Sequence, residues 1–595
     1  MKLFVSICLL ACVILTKAAD FARFGNDTLS ECENCQATLA YLKSIAFLGD
    51  NAFVKIAQQS CGESLLQKDD NGICQDTVAL QGPVLADTLR NIEPTSRAAI
   101  LLCIGLMGIC EYPSVSLFNV SFPPEGESQG SAASNRPLVA ERTSKSKRPA
   151  PLRIAHFSDI HVDQLYVTGS NANCSKPMCC RNYTLADEPN NNDAPAGPFG
   201  DHNCGAPPSL EESMYAAIHE ISPDFSIFTG DIVDHGIWNT SADHNTMEIR
   251  SSYCAMANAG MQVAYSTLGN HEMSPANALP PLKLGKGAEW LFNLASQVWS
   301  RFVETPSEDI EKFGRYSVRH PGSNLRIISI NTNLYYRFNF WMYQVMDEYD
   351  PDNQLQWLVD ELDWAERHGE RVYIIGHMPM GSSDSFHDTS NYFDQIINRY
   401  KSTISATFFG HTHLDQFQIS YSDYQAREAK NAVSVSHISP SMAPLSGMPA
   451  FRIYTVDPMT FGILDIETYT ADMDKEEFQI QPVWTKSYSV KEAYGSLVDP
   501  LLDLSPTSEL TPEFFHNLTI ILESNENAFQ DYWARRSRGW KVQSCDSECR
   551  KQEICQLRAA RSQDNCHKPT VNNLFGARCQ PEVPSAQWAG RDFLA

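Results

Sequence analysis

The sequence has no long basic run, and acidic residues outnumber basic ones, 71 against 46, for a net charge of −25. It therefore lacks the clustered Lys and Arg that neutralise phosphate backbones, which excludes nucleic acid as the partner class. The short cluster Lys145-Ser146-Lys147-Arg148 lies in a linker-like stretch and reads as solvated charge. Past the N-terminus no apolar stretch is long enough to span a bilayer. Ala98 to Cys110 is apolar but too short, and glycines interrupt it. Gln587 to Ala595 lacks the apolar tail of a lipid-anchor signal. No second Cys-x-x-Cys or His pair follows Cys32-x-x-Cys35, which weakens a zinc reading of that motif.

What is present fits a globular protein, 43% apolar and 20% charged, whose 595 residues make three or four domain-sized units. Lys2, the apolar run Leu3 to Leu15, and small residues at Thr16 and Ala18 read as a secretory signal over residues 1–18. Its loss would remove Cys8 and Cys12. The remaining cysteines are closely spaced, as in a disulfide framework of an oxidising compartment. Six Asn-x-Ser/Thr sequons, at Asn26, Asn119, Asn173, Asn182, Asn239 and Asn517, agree with that route.

Residues 28–116 form a cysteine-punctuated helical unit, with Leu39, Leu42 and Ile45, then Val78, Leu85 and Leu89, at helical spacing. Its six cysteines allow 15 pairings. Residues 117–151 are rich in Pro, Ser, Glu and Lys and read as a linker. Over 152–483 strands alternate with helices. The clearest helix is Asp352 to Gly369, with Leu355, Leu358, Val359 and Leu362 on one face. Asn173 to Pro208 is an insert that needs staples to be ordered, expected as Cys174–Cys179 and Cys180–Cys204. Residues 484–595 read as a helical tail with local loops Cys545–Cys549 and Cys555–Cys566, leaving Cys254 and Cys579 to pair or remain free.

Five blocks in 152–483 share one build, an apolar run that ends in metal-type ligands. They are Phe157-Ser158-Asp159-Ile160-His161, Gly230-Asp231 with His235 four residues on, Gly269-Asn270-His271-Glu272, Gly376-His377, and Gly410-His411-Thr412-His413. Strands should deliver these residues to one end of a sheet. A bridging carboxylate with imidazole and amide oxygen ligands suits a pair of divalent cations. His156 lies inside an apolar strand and reads as structural.

In this order the blocks resemble the calcineurin-like binuclear metallophosphoesterases. The resemblance implies that Asp159, His161 and His413 hold one metal, that Asn270, His377 and His411 hold the other, and that Asp231 bridges them. Two zinc ions per chain are expected from the ligand types and the oxidising compartment. His271 is the expected general acid, with His235 as a second catalytic candidate that orients phosphate or shares the proton. Gly230-Asp231-Ile232-x-x-His235-x-x-Trp238, Gly376-His377-Met378-Pro379 and Phe408-Phe409-Gly410-His411-Thr412-His413 are similar to the acid sphingomyelinase family. So is the order of helical cysteine unit, linker, phosphoesterase and cysteine-rich tail.

That resemblance implies a four-layer α/β/β/α sandwich, where alternation alone gives only α/β. It also implies an N-terminal all-α saposin domain and a C-terminal disulfide-rich helical region. The saposin pairing would be Cys32–Cys110, Cys35–Cys103 and Cys61–Cys74. The implied activity is hydrolysis of sphingomyelin to ceramide and phosphocholine by a monomeric secreted or lysosomal enzyme. Its saposin domain would meet the membrane through Ile100, Leu101, Leu102, Ile104, Leu106 and Met107. The rival readings are a glycerophospholipid or nucleotide phosphodiesterase and a non-enzymatic lipid-transfer protein. Two departures bear on head-group specificity. The family's cysteine pair near Leu334 and Ser382 is absent, and the loop Ser446 to Arg452 is one residue short of the family pattern.

Overall fold

The computed structural model describes residues 30–59, 61, 71–124, 149–304, 307–498 and 505–569. The expected signal segment, the 145–148 cluster, Asn26 and Cys579 lie outside the described residues.

The N-terminal unit has helices α1 (Glu31–Ala46), α2 (Asp50–Gln59), α3 (Asn71–Asn91) and α4 (Arg97–Met107). Ser30 and Glu33 start α1 with a reciprocal capping box, satisfying backbone N–H groups that the first turn leaves unpaired. Ser96 caps α4, and Gly108, at φ 64°, ends it in the left-handed conformation glycine tolerates. The disulfides are Cys32–Cys110, Cys35–Cys103 and Cys61–Cys74.

Helix α4 corrects one expectation. Leu101, Leu102, Ile104, Leu106 and Met107 are buried, and Ile100 is half-buried. They belong to a core shared with Phe340, Trp341 and Tyr343 of the middle of the chain, so they face protein rather than lipid. A run apolar on every side must be covered, and here the middle of the chain covers it.

Among the described residues, twelve strands make two mixed six-stranded sheets. The first contains β1 (Leu152–Phe157), β2 (Phe225–Phe228) and β3 (Ala264–Ser266), followed in sequence by β4 (Tyr316–Arg319), β5 (Leu325–Ser329), β6 (Arg371–Ile375), β7 (Ile404–Phe409), β8 (Gln416–Tyr421) and β9 (Ala432–Ile438) of the second. The first sheet is completed by β10 (Ala450–Val456), β11 (Ile463–Ala471) and β12 (Trp484–Ser489). The orders are β12-β11-β10-β1-β2-β3 and β4-β5-β6-β7-β9-β8. In each sheet the central strands run parallel: β1 with β2 and β2 with β3, and β5 with β6, β6 with β7 and β7 with β9. Such strands are buried on both faces, which is why they read as continuous apolar runs. The inner faces meet through rings such as Phe408 and Tyr454, whose centroids are 5.2 Å apart.

Outside the first sheet lie α5 (Pro208–Ile221), α6 (Ala242–Asn258) and α7 (Glu289–Trp299), followed by the short α8 (Ser307–Phe313). The second sheet is backed by α9 (Gln354–Arg367) and α10 (His387–Arg399). Leu355, Leu358, Val359 and Leu362 of α9 are all buried. The architecture is the expected α/β sandwich of two mixed sheets flanked by helices, with disulfide-bearing helical regions on either side of it in the chain.

The insert carries Cys174–Cys179 and Cys180–Cys204. The C-terminal part consists of α11 (Pro512–Ser524), α12 (Glu526–Arg536) and α13 (Ser547–Leu557), with Cys545–Cys549 and Cys555–Cys566. Cys254 is an exposed free thiol. One boundary moves: Trp484 to Ser489, expected in the helical tail, pairs with β11 as an edge strand. Its exposed, polar middle hides the strand pattern.

Candidate metal centre

All five ligand blocks follow directly from strands. Parallel pairing sets them level: Phe157 is opposite Phe228, Phe228 opposite Ser266, and Ile375 opposite Phe408. The chain therefore leaves β1, β2, β3, β6 and β7 at one end of the sandwich, where the turns can converge.

Those turns are conformationally unusual. Asp159 (φ 53°), His161 (47°), Asp231 (59°), His411 (69°) and His413 (61°) all occupy the left-handed region. Each such non-glycine residue costs of the order of 1–3 kcal/mol and persists because the surroundings enforce it. Gly269 leaves no room for a Cβ against Asp231, and Gly410 leaves none against Ser158 and Asp159. Glu272 clasps the centre from below, accepting from the backbone N–H of Gly269 (2.6 Å), Asp231 (3.2 Å) and Ile232. Burial, then the charge of Asp231, pushes its carboxyl up to about 7.

The structure brings the seven expected ligands together, and all are buried. His161 Nε2 lies 3.2 Å from His413 Nε2 and 3.6 Å from Asp231 Oδ2. His413 Nε2 lies 3.3 Å from Asp159 Oδ1. On the other side His377 Nε2 is 3.1 Å from Asp231 Oδ2 and 3.0 Å from Asn270 Oδ1, which is 3.1 Å from His411 Nδ1. Asp231 thus stands between two groups of donors.

The outer contacts fix what these atoms offer. His161 Nδ1–H donates to the Val233 carbonyl at 2.8 Å, and His377 Nδ1–H to the Thr229 carbonyl at 2.7 Å. A carbonyl only accepts, so in each neutral ring the lone pair is on Nε2, aimed inward. Asn270 Nδ2 donates to Asn277 Oδ1 at 2.7 Å, which turns Asn270 Oδ1 inward as well. With His377 neutral, its Nε2 lone pair faces Asn270 Oδ1 at 3.0 Å, a packing that a cation relieves. The donor set, imidazole with carboxylate and amide oxygen, fits a binuclear divalent centre. Burial, followed by the charges of His235 and His271, drives His161 well below its ordinary value and keeps its lone pair available. Burial opposes charge on His377, but without a cation Asp231 overrides it and pushes the ring up to about 9, so a cation bound there takes the place of the Nε2 proton.

The two catalytic candidates border this centre. His271 donates its backbone N–H to Asp231 Oδ1 at 2.9 Å and its Nδ1–H to the Asp234 carbonyl at 3.1 Å. Its ring lies edge-on to His161, with centroids 4.7 Å apart. His235 stacks on His161 at 3.7 Å, and its Nδ1 has no hydrogen-bond partner. Burial, then His413 and His271, holds His235 well below its usual range, so it is neutral. His156 is not brought into the centre; it is buried in β1, 3.1 Å from Thr229 Oγ1.

Sequence reasoning missed the residues behind the ligands. Asp384 Oδ2 lies 3.3 Å from His411 Nε2. Arg538, from the turn after α12, donates to the carbonyl of His413 and, at 2.7 Å, to that of Met448. Arg181 of the insert lies between Asp163 and Asp234, whose carbonyl holds His271. None of these sits at a strand end in a repeated pattern, so no spacing marks them.

Comparison with known proteins agrees with this geometry. Residues 152–415 match the calcineurin-like phosphoesterase family. The chain is 32% identical over 428 residues to sphingomyelin phosphodiesterase 1 of Caenorhabditis elegans, covering 70% of this chain and 72% of that one. It is 28% identical over 556 residues to sphingomyelin phosphodiesterase B of Dictyostelium discoideum, covering 91% and 82%. With the Bos taurus sphingomyelin phosphodiesterase the identity is 31% over 425 residues, covering 69% and 64%. The chain belongs to the sphingomyelin phosphodiesterase family and is a metal-dependent phosphoesterase with a buried binuclear His/Asp centre.

Proposed function

We propose that the chain hydrolyses sphingomyelin to ceramide and phosphocholine. Asp159, His161 and His413 would hold one cation, Asn270, His377 and His411 the other, and Asp231 both. The observation that carries this reading is His271, an imidazole fixed through Nδ1 against the Asp234 carbonyl and within reach of His161 and Asp231. Bound divalent cations neutralise phosphoryl charge and acidify water. With Nδ1–H committed to the Asp234 carbonyl, His271 would act as the imidazolium, its Nε2–H protonating the departing ceramide oxygen, and neutral His235 would donate a hydrogen bond to the phosphate. Imidazole-rich donors and an oxidising, lumenal route favour zinc, and the disulfides suit the secretory or lysosomal compartment. Elemental analysis of protein purified without added metal should give two zinc ions per chain, and exhaustive chelation should abolish activity. One ion per chain would rule out the two-metal reading. Product analysis on sphingomyelin, phosphatidylcholine and a nucleotide tests the substrate: faster cleavage of either alternative would displace sphingomyelin.

The proposed organisation is a saposin-type unit over 28–116, a linker, the phosphoesterase over 152–483 extended by β12, and the disulfide-bearing helical part. With α4 inside the protein, an apolar surface of the N-terminal unit that remains open to a membrane, among the described residues, is the turn between α1 and α2. There Phe47 is 64% and Leu48 69% exposed, with Tyr41 nearby on α1 also exposed. Burying such a side chain is worth about 1.5–3 kcal/mol, roughly tenfold or more in binding. The double substitution Phe47→Glu, Leu48→Glu should cut hydrolysis of sphingomyelin vesicles at least tenfold and leave a soluble nitrophenyl phosphodiester unaffected. Equal rates on vesicles would remove the turn as the membrane contact.

A further inference from the structure

His411 faces two ways. Its Nδ1 is 3.1 Å from Asn270 Oδ1, inside the donor cluster, and its Nε2 is 3.3 Å from Asp384 Oδ2, outside it. A carboxylate only accepts, so Nε2 carries the proton, Nδ1 carries the inward lone pair, and the ring cannot turn without losing the contact.

Asp384 is itself fixed. Its Oδ1 takes Arg337 Nη2 at 2.7 Å, and its carbonyl takes the Arg337 backbone N–H at 2.9 Å. Arg337 is buried, and its Nε and Nη1 have no hydrogen-bond partner, so Asp384 is its counter-charge. The next link leads into the N-terminal unit. The carbonyl of Arg337 accepts from the Tyr343 hydroxyl at 2.8 Å. That hydroxyl rests on Gly105 of α4, where a Cβ would come within 2.9 Å of the oxygen and 3.9 Å of Arg337 Cδ. The line Gly105, Tyr343, Arg337, Asp384, His411 is in contact throughout.

We propose that Asp384 is a positioning residue for His411, and that Arg337 and Tyr343 tie it to α4, so that seating of the N-terminal unit sets the affinity of the cation on the His411 side. The inference rests on reading His411 as a ligand. An orienting carboxylate of this kind typically changes metal affinity 10–100-fold. Asp384 does not touch substrate in this role; it acts through the ring.

The test uses the full chain and counts zinc ions retained against a graded chelator series. Wild type should release its two ions in two steps. Wild type holding fewer than two overturns the site reading and this inference together. Asp384→Asn should release one ion at about 10–100-fold lower chelator strength and keep the other as wild type does. Gly105→Ala, which must push the Tyr343 hydroxyl away, should weaken the same ion with unchanged far-ultraviolet circular dichroism. If Asp384→Asn does not fold, Gly105→Ala decides alone. Two intact wild-type steps in the variants, or loss of both ions together, overturns the proposal.

Discussion

Replacing His271 by alanine slows turnover of sphingomyelin by roughly 10²–10⁴-fold, the range that general acid catalysis supplies. The ligand cluster should survive, because His271 holds Asp231 through its backbone N–H, which alanine keeps. Two ions per chain are therefore expected in the variant. The decisive comparison is the leaving group. A ceramide alkoxide needs a proton as it departs; a nitrophenolate does not. The loss should shrink to a small factor on a nitrophenyl phosphodiester. His235→Ala provides the contrast, since a phosphate-orienting ring affects both substrates alike. Equal losses for His271→Ala on both substrates would make it a phosphate-binding or structural residue.

Arg181→Met should lower the stability of the phosphoesterase part by about 3–5 kcal/mol, the usual cost of breaking a buried ion pair by removing one partner. Arg181 is buried, 2.8–3.1 Å from both oxygens of Asp163 and in contact with Asp234. Burial opposes ionisation of Asp234, but the charge of Arg181 and hydrogen bonds from His244 and Gly236 hold it well below the carboxylate range. Without the guanidinium, two buried carboxylates face each other, and their folded-state values rise above those of the unfolded chain. A group raised in this way costs stability at pH above its unfolded value, near 4 for Asp, and the cost disappears as pH falls below it. The gap in urea midpoint between wild type and variant should be widest at neutral pH and narrow toward pH 4. A gap that does not change with pH would show that Arg181 acts by packing rather than charge.

Much of the sandwich was legible because buried parallel strands have a simple signature, an apolar run, and ligand-type residues follow each one. The pairs Cys174–Cys179 and Cys180–Cys204 were legible from the composition of an insert that could not otherwise be ordered. What stayed hidden is what long-range packing decides. Asp384 and Arg337 lie in segments 47 residues apart by number, and only pairing of Tyr336 with Ser385 brings them together. These segments also carry Leu334 and Ser382, and an ion pair and a backbone bridge join them. The left-handed conformations at Asp159, His161, Asp231, His411 and His413 were equally invisible, since neither Asp nor His announces a positive φ as glycine does. Helix α4 was misjudged because apolar content says that a surface must be covered and not by what.

The core that α4 shares with the phosphoesterase part has a consequence for proteolysis. All three disulfides of the N-terminal unit close within it, and among the described residues none crosses to the rest of the chain. The two parts are instead joined by the interdigitated side chains of α3, α4 and residues 340–345, and by Arg97, which pairs with Asp388 at 2.8 Å. Trypsin cutting at Lys145 or Lys147 would therefore yield a noncovalent two-chain particle that elutes as one species and separates on a denaturing gel without reduction. Severing the connection is not the same as releasing the unit, so proteolytic nicking there would leave the enzyme assembled.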